Sequence, residues 1–148
     1  MNAHHRACSA VFPLFLRHPS GRSEVLLHPR RHAGRRDGWW DLAGSGHADA
    51  GESAPDALIR ESREELGVTV RRENIRFAPF SHCTETAGEG TYCNLYFIVT
   101  RWEETPRIME PEKSAALRFF DVTQLPENTI PLRRRDIPAQ VAALPPPA

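Results

Sequence analysis

The segment from Gly46 to Val68 constrains this chain more than any other part of it, because it predicts a helix with both ends marked. Ser53 is a favourable N-cap residue, and Asp56 follows it at the capping-box position. Pro55 is tolerated in the first turn, where its missing N–H is not needed. Gly67 ends the helix, since glycine adopts the left-handed conformation without a Cβ penalty. One stripe of the helix is suited to packing against a sheet: Ala54, Leu58, Ser62 and Leu66.

Three carboxylates lie together on a neighbouring arc of this helix. Glu61, Glu64 and Glu65 have the i, i+3 and i+4 spacing, at which like charges repel by about 0.2–0.5 kcal/mol per pair. A divalent cation among them would remove that repulsion, and Mg²⁺ prefers hard oxygen ligands, taking the remainder from water and substrate phosphates. The alternative is a solvated helix face on which Arg60 and Arg63 supply the ionic partners.

The spacing of the whole segment resembles the Nudix box, Gly-x5-Glu-x7-Arg-Glu-U-x-Glu-Glu-x-Gly-U, in which U is a bulky aliphatic residue. Every fixed residue of the box is present: Gly46, Glu52, Arg60, Glu61, Glu64, Glu65 and Gly67. Ser62 departs from the pattern, because it places a hydroxyl in the first U position, where we expect it to bond to the Leu58 carbonyl. The preceding residues 40–47 resemble the family's Trp-x-Leu-Pro-x-Gly-His approach, with Ala43 and Ser45 as departures. Residues 110–126 resemble the C-terminal part of MutT-like members.

This resemblance implies an α/β fold, the Nudix α/β/α sandwich with a mixed β-sheet between helices. It also implies hydrolysis of a phosphoanhydride in a nucleoside diphosphate linked to another group, with Mg²⁺ or Mn²⁺ as cofactor. Arg60 is implied to orient the glutamates through Glu52 rather than to touch substrate. The implied metal ligands are three box carboxylates and one backbone carbonyl: Glu61, Glu64, Glu65 and Ser45. The general base varies across the family and is left unassigned.

Two other segments carry candidate substrate-binding residues. The polar loop 29–38 holds four arginines. It is either a solvated surface loop or an electropositive rim whose Arg35 and Arg36 meet substrate phosphates, since arginine binds phosphate bidentately. In the loop 109–113, Pro111 restricts the backbone of the preceding residue. Glu110 and Glu112 are therefore candidates for a carboxylate from outside the box, as a metal ligand or as the base, with an exposed acidic loop as the alternative.

The substrate is the least constrained part of the prediction. Some Nudix subfamilies carry a Pro or Tyr marker downstream of the box, and the corresponding residues 83–85 have neither. This favours a MutT-like enzyme that converts a nucleoside triphosphate to a monophosphate and pyrophosphate. An ADP-ribose or nucleotide-sugar pyrophosphatase is the alternative. A non-catalytic nucleotide-binding module would be expected to have lost a box glutamate, and none is missing. An isopentenyl diphosphate isomerase would be expected to carry a Cys-containing active-site segment, and no matching segment is found. An RNA cap or 5′-end hydrolase would be expected to have a basic surface, which the zero net charge does not indicate, although the loop from Arg30 to Arg36 leaves it open.

Composition sets the remaining bounds. The length of 148 residues predicts one domain over residues 1–144, followed by a disordered Pro-rich tail at 145–148. Zero net charge gives no indication of a nucleic-acid partner, so we expect a small-molecule nucleotide partner, with a homodimer left open. No apolar run approaches the length of a membrane span. Three cysteines without metal spacing, Cys8, Cys83 and Cys93, favour reduced thiols and a cytoplasmic location.

A coarse secondary-structure prediction completes the sequence analysis. We expect a hairpin of strands 9–17 and 24–28, a short strand at 39–42, and further strands at 68–70, 75–84, 91–101 and 115–121. A terminal helix at 133–144 is expected to be interrupted near Pro138. Core or rim packing is favoured over base stacking for Trp39 and Trp40. The side chains of Arg133, Arg134 and Arg135 are expected to be solvated, and His82 and Cys83 to be strand residues rather than catalysts.

Overall fold

The computed structural model describes residues 6–31, 36–86 and 90–145, without the side chains of Glu85 and Thr86. In chain order the elements are β1 Ala7–Arg17, β2 Glu24–Pro29, β3 Trp40–Leu42, β4 Gly46–His47, α1 Ala54–Leu66, β5 Ile75–Phe77, β6 His82–Thr86, β7 Gly90–Val99, β8 Arg118–Asp121 and α2 Pro131–Ala142. Single 3-10 turns occupy Pro19–Gly21 and Arg72–Asn74.

Strand β1 is the centre of a mixed sheet. It runs parallel to β7 over nine residue pairs, from Ala7 opposite Thr91 to Phe15 opposite Val99. Its other edge pairs antiparallel with β4 and then, at the end of the strand, with β2. β2 also pairs with β3 and β8, while β5 and β6 pair with β7. The predicted hairpin of β1 and β2 is therefore confirmed.

Both faces of β1 are buried, because successive side chains of a strand point to opposite faces. Leu14 and Leu16 join the cluster that includes Ile137 of α2. Val11 and Phe15 join the cluster that includes Leu58 of α1. The two helices thus cover opposite faces of the sheet, which confirms the predicted α/β/α sandwich.

Helix α1 has the predicted ends. The Ser53 hydroxyl accepts a hydrogen bond from the Asp56 N–H at 3.2 Å, and Gly67 adopts φ 65°. The prediction for Ser62 was wrong in one respect. Its side chain is fully buried, but its hydroxyl has no hydrogen-bond partner among the described residues, including the Leu58 carbonyl. The serine therefore occupies an apolar position without satisfying its polar group.

Helix α2 runs through Pro138 without the interruption expected from the sequence. A proline inside a helix removes one backbone bond and costs about 3 kcal/mol or more. Tertiary contacts on both sides of Pro138 offset that cost. Gln140 donates to the Phe80 carbonyl at 2.6 Å and accepts from the Phe80 N–H at 3.3 Å. Before the proline, the buried Asp136 accepts bonds from Tyr96 and His82 at 2.8 and 2.7 Å.

The predicted strand 75–84 is two strands in the structure. β5 ends at Phe77 and β6 begins at His82. Pro79 lies between them and has no N–H to donate to a ladder. The neighbouring Phe80 bonds to Gln140 of α2 rather than to a strand. The chain therefore leaves the sheet for a few residues at the proline. The expected strand 68–70 is reduced to one bridge, Thr69 opposite Glu103.

The expectation of three reduced thiols was wrong for two of them. Cys83 of β6 and Cys93 of β7 are directly opposite each other in the ladder and form a disulfide. Cys8 is a free, exposed cysteine. In the described part of the chain, neither helix is long and apolar enough to cross a membrane. Most of the predicted tail, residues 146–148, lies outside the described residues.

Candidate active site

The loop between β3 and α1 is pressed against the carboxylates of the helix. Gly46 begins β4, which pairs with β1 opposite Val11. A Cβ added at Gly46 would lie 2.3 Å from the Glu61 Cδ, so any larger residue would displace that carboxylate. Just before it, the Ser45 hydroxyl donates to the Leu42 carbonyl at 3.1 Å, which braces the turn. The sequence therefore places a carboxylate directly against the backbone of this loop.

Arg60 ties the acidic side chains of the segment together. Its Nε and Nη2 donate to the two carboxylate oxygens of Glu52 at 2.8 and 2.9 Å. Its Nη1 donates to Glu61 at 2.9 Å and to Glu64 at 3.2 Å. A further bond joins Nη2 to the His47 carbonyl at 3.1 Å. The predicted contact between Arg60 and Glu52 is thus present, and it reaches two of the three clustered glutamates.

The carboxylates differ in their electrostatics. The hydrogen bonds from Arg60 lower the pKa of Glu52 to about 2. Burial raises the pKa of Glu61, against the opposing effect of Arg60. Glu65 makes no such bond with Arg60. Its burial, followed by the charges of Glu61 and Glu110, raises the pKa of Glu65 to about 8. The helix therefore holds one partly buried carboxylate that resists ionisation, first because it is shielded from water and then because of the neighbouring negative charges.

Glu65 lines a cleft of about 440 Å³. Four cationic side chains also line this cleft: Arg30, Arg31, Lys113 and Arg133. The remaining lining residues are Ala10, Phe12, His28, Asp41, Ser45, Gly46 and His47. A cleft lined by carboxylates and several cations is suited to an anionic ligand that carries a metal ion.

Of the two arginines predicted to meet phosphates, Arg36 is not among the residues that line the cleft. Arg36 stacks on the Trp39 ring, 4.7 Å from its centroid, and Arg35 lies outside the described residues. Arg30 and Arg31 of the same loop line the cleft instead. These two residues follow β2 directly, so their position next to a strand end was the available signal. Trp40 packs on Phe120 at 4.8 Å, which agrees with the predicted packing role.

The expectation that Arg133 is solvated was wrong. Its guanidinium is buried, 3.6 Å from the centroid of the Phe12 ring. Nε donates to Asp41 at 3.0 Å, and Nη1 donates to the Tyr96 hydroxyl at 2.9 Å. Sequence analysis also missed His28, whose Nδ1 is buried without a partner among the described residues and whose pKa is lowered, chiefly by burial. Arg133 and His28 both line the cleft, together with Phe12 and Asp41.

The loop 109–113 places a negative charge, that of Glu110, and a positive charge, that of Lys113, close to Glu65. Glu110 is half-buried and lines a smaller cavity of about 20 Å³ together with Glu65 and Lys113. The Lys113 ammonium donates to Glu110 at 2.7 Å. Glu112 is exposed and lines neither of these two cavities. Of the two carboxylates predicted to approach the box, the structure brings Glu110 close.

The donor set fits a hard divalent cation. Carboxylate oxygens and a backbone carbonyl are the ligands that Mg²⁺ prefers, and the charge around Glu65 is of the sign that a cation relieves. Within residues 6–31, 36–86 and 90–145, no group of three or more His, Cys, Asp or Glu side chains is arranged so that it could hold a metal ion by itself. Mg²⁺ usually keeps several waters and uses substrate phosphates as ligands, so a partial protein set is compatible with it.

A mixed sheet between two helices, with a capped glutamate-rich helix beside a cationic cleft, defines the class of protein. A family model described as "NUDIX domain" matches residues 8–141. The chain belongs to the NUDIX family. The crystal structure of a MutT NUDIX hydrolase from Burkholderia pseudomallei is similar, with a TM-score of 0.77 and 25% identity, and covers 93% of this chain and 99% of that one.

Two curated relatives show what else the sequence is similar to. An uncharacterized Nudix hydrolase of Listeria innocua, lin0387, is 38% identical over 107 residues, which are 70% of this chain and 59% of that protein. The isopentenyl-diphosphate Delta-isomerase of Kocuria rhizophila is 30% identical over 101 residues, 65% of this chain and 54% of that protein. The chain thus spans little more than half the length of these relatives.

Proposed function

We propose that this protein is a metal-dependent hydrolase of phosphoanhydrides in nucleoside diphosphates that are linked to another group. The observation that carries the proposal is the position of Glu65, which projects from the box helix into a cleft that also holds Arg30, Arg31 and Lys113. A phosphoanhydride is shielded by its own anionic oxygens, so its hydrolysis needs cations around the reacting phosphorus.

Each residue of the box has a role in this proposal. Glu61, Glu64 and Glu65, with the Ser45 carbonyl, would hold Mg²⁺ or Mn²⁺. The metal, when bound, neutralises phosphate charge and lowers the pKa of its bound water. Arg60 is a positioning residue, since its bonds go to Glu52, Glu61 and Glu64.

Residues outside the box complete the proposed site. Glu110, which is half-buried beside Glu65, is the candidate for a further carboxylate, as a ligand or as the base. Arg30 and Arg31 would bind substrate phosphates, and Arg35, Arg36 and Glu112 remain candidates at the rim. A water molecule is the nucleophile, and the cleft wall formed by Phe12, Asp41 and Arg133 would contact the part of the substrate beyond the phosphates.

The preferred substrate in this proposal is a nucleoside triphosphate, cleaved to a monophosphate and pyrophosphate. It is supported by the absence of a Pro or Tyr marker at residues 83–85 and by the similarity to a MutT hydrolase structure. The test is a panel of nucleoside triphosphates, ADP-ribose, nucleotide sugars and isopentenyl diphosphate, each with Mg²⁺ or Mn²⁺, with products resolved by chromatography. Monophosphate and pyrophosphate from a triphosphate as the fastest reaction would support the proposal.

Other outcomes of the panel select other functions. Faster cleavage of ADP-ribose or a nucleotide sugar would assign a different pyrophosphatase substrate to the same site. Conversion of isopentenyl diphosphate without phosphate release would favour the isomerase, a candidate kept by the 30% identical Kocuria relative. Nucleotide binding without turnover of any compound would indicate a non-catalytic binding module.

A further inference from the structure

Lys113 is the one lysine of the chain, since every other residue among the 19 lysines and arginines is an arginine. It lies on a loop that is hydrogen-bonded to Arg31. The Arg31 N–H donates to the Lys113 carbonyl at 3.1 Å, and its Nη1 donates to the Pro111 carbonyl at 3.2 Å. The Lys113 side chain lines both the large cleft and the small cavity beside Glu65. The loop therefore places one ammonium group beside the carboxylates of Glu65 and Glu110.

Three carboxylates act on this ammonium group. Its Nζ lies 2.7 Å from Glu110 Oε2. The hydrogen bond with Glu110, and then the charges of Glu110, Glu65 and Glu61, raise the pKa of Lys113 despite some opposing burial. Two of these carboxylates are proposed metal ligands on α1. Lys113 therefore occupies the electrostatic position of a cation among them.

The choice of lysine over arginine has a physical consequence. Arg60 is held by several bonds to carboxylates, whereas Lys113 makes a single-point ion pair whose lysine side chain is 61% exposed. Exposed pairs of this kind contribute little to stability. A lysine is also a compact charge on a flexible four-carbon stem, unlike the planar fork of arginine. Breaking the Lys113–Glu110 ion pair therefore costs little free energy, and the Lys113 ammonium is able to move to another anion.

We propose that Lys113 is an internal counter-ion of Glu61, Glu65 and Glu110, which a divalent cation displaces, and that the displaced ammonium then binds a phosphate of the substrate. The inference rests on the proposed function, because it requires metal binding by the box carboxylates. Lysine is a common point-charge ligand of phosphate. Lys113 then opposes metal binding to the free protein but favours phosphate binding to the metal-loaded protein.

These opposite effects distinguish the proposal from a merely structural role of Lys113. Loss of a structural role would weaken the binding of the metal ion and of the phosphate together. Mn²⁺ binding without nucleotide is measured by the EPR signal of the free ion. Lys113→Met, which keeps the stem and removes the charge, should bind Mn²⁺ about tenfold tighter, equivalent to about 1.4 kcal/mol of lost repulsion. Binding of imidodiphosphate, a non-hydrolysable P–N–P probe, in saturating Mg²⁺ should weaken by about tenfold in the same variant.

Two controls keep the charge effect specific. Lys113→Arg retains the positive charge and should bind Mn²⁺ no more tightly than the parent protein does. Arg101→Met removes one charge at an exposed position that is not among the cleft-lining residues, and should change neither affinity. If Arg101→Met tightens Mn²⁺ binding as much as Lys113→Met, the effect is one of net charge and the proposal is overturned.

A spectroscopic measurement follows the ammonium itself. Reductive methylation with ¹³C-formaldehyde labels Lys113 as the one lysine signal, distinct from that of a terminal amine. This signal should shift when Mg²⁺ is added and shift again with imidodiphosphate. No shift with either ligand overturns the inference. A parent protein that binds Mn²⁺ while Lys113→Met binds it no more tightly overturns the inference alone, whereas a parent that binds no Mn²⁺ overturns the proposed function as well.

Discussion

Gly46→Ala offers the sharpest separation of function from stability in this protein. The added Cβ would lie 2.3 Å from the Cδ of Glu61 and 2.5 Å from its Oε1. Ordinary carbon contacts are about 3.5–4.0 Å, so the carboxylate must move by about 1 Å or more. A misplacement of about 1 Å in a catalytic group is able to cost about 100-fold in rate. We therefore expect turnover of the best panel substrate to fall by about that factor.

The stability of Gly46→Ala should change little. The clashing atoms are the end of a flexible side chain, and Gly46 is not in the left-handed region that only glycine adopts freely. The expected loss in the free energy of unfolding is below about 1 kcal/mol, less than the 1–3 kcal/mol of an overpacked rigid core. Chemical denaturation and steady-state kinetics on the same preparation provide the two measurements.

Gly21→Ala is the matched control. Gly21 has φ 77° and no atom within 4 Å of an added Cβ, so the change strains the backbone without a clash. It should cost about 1–2 kcal/mol of stability and leave kcat unchanged. If Gly46→Ala keeps the parent kcat in saturating metal, the position of Glu61 against the loop is not needed for catalysis. That result would refute the argument.

Three further predictions follow from the site and the core. Glu65→Gln removes one anionic oxygen ligand at constant volume and should abolish turnover without unfolding; full activity in this variant, or in excess chelator, would contradict the metal assignment. Replacing Arg30 and Arg31 with Ala should raise KM and reduce its salt dependence more than it lowers kcat, because phosphate binding common to substrate and transition state is lost. Arg36→Ala should raise KM less. A larger increase in KM for Arg36→Ala would instead assign phosphate binding to Arg36. Ser62→Ala removes a buried hydroxyl that has no partner and should stabilise the fold by about 1 kcal/mol in urea unfolding; a loss of stability would show that the hydroxyl is bonded in solution.

Local signals account for what was predictable in this chain. The ends of α1 depend on Ser53 and Gly67, each of which acts within one turn of the helix. The i, i+3, i+4 spacing of the glutamates likewise depends only on helix geometry. The hairpin of β1 and β2 needs one turn between two apolar runs. These features follow from residues that are close in sequence, so their energies do not depend on the rest of the fold.

Proline effects and cysteine pairing depended on neighbours that are distant in sequence. Pro138 ends or kinks an isolated helix, but Gln140 and Asp136 hold both halves of α2 against the sheet. Cys83 and Cys93 form a disulfide because the register of β6 on β7 places them opposite each other. Register is set by the pairing of whole strands, and a shift of one residue between them would leave the two cysteines on opposite faces of the sheet.

The sequence by itself determined the box helix, its three glutamates and the Nudix family. Only the tertiary structure decided which cations meet that helix. Arg30 and Arg31 reach the cleft because β2 pairs with β3. Arg133 reaches it because the packing of α2 turns the side chain inward over Phe12. Lys113 reaches it because its loop is hydrogen-bonded to Arg31. A charged side chain favours contact with water at any exposed position, so its local sequence does not predict its partners. Its function depends on which distant carboxylates, rings and carbonyls the fold brings to it.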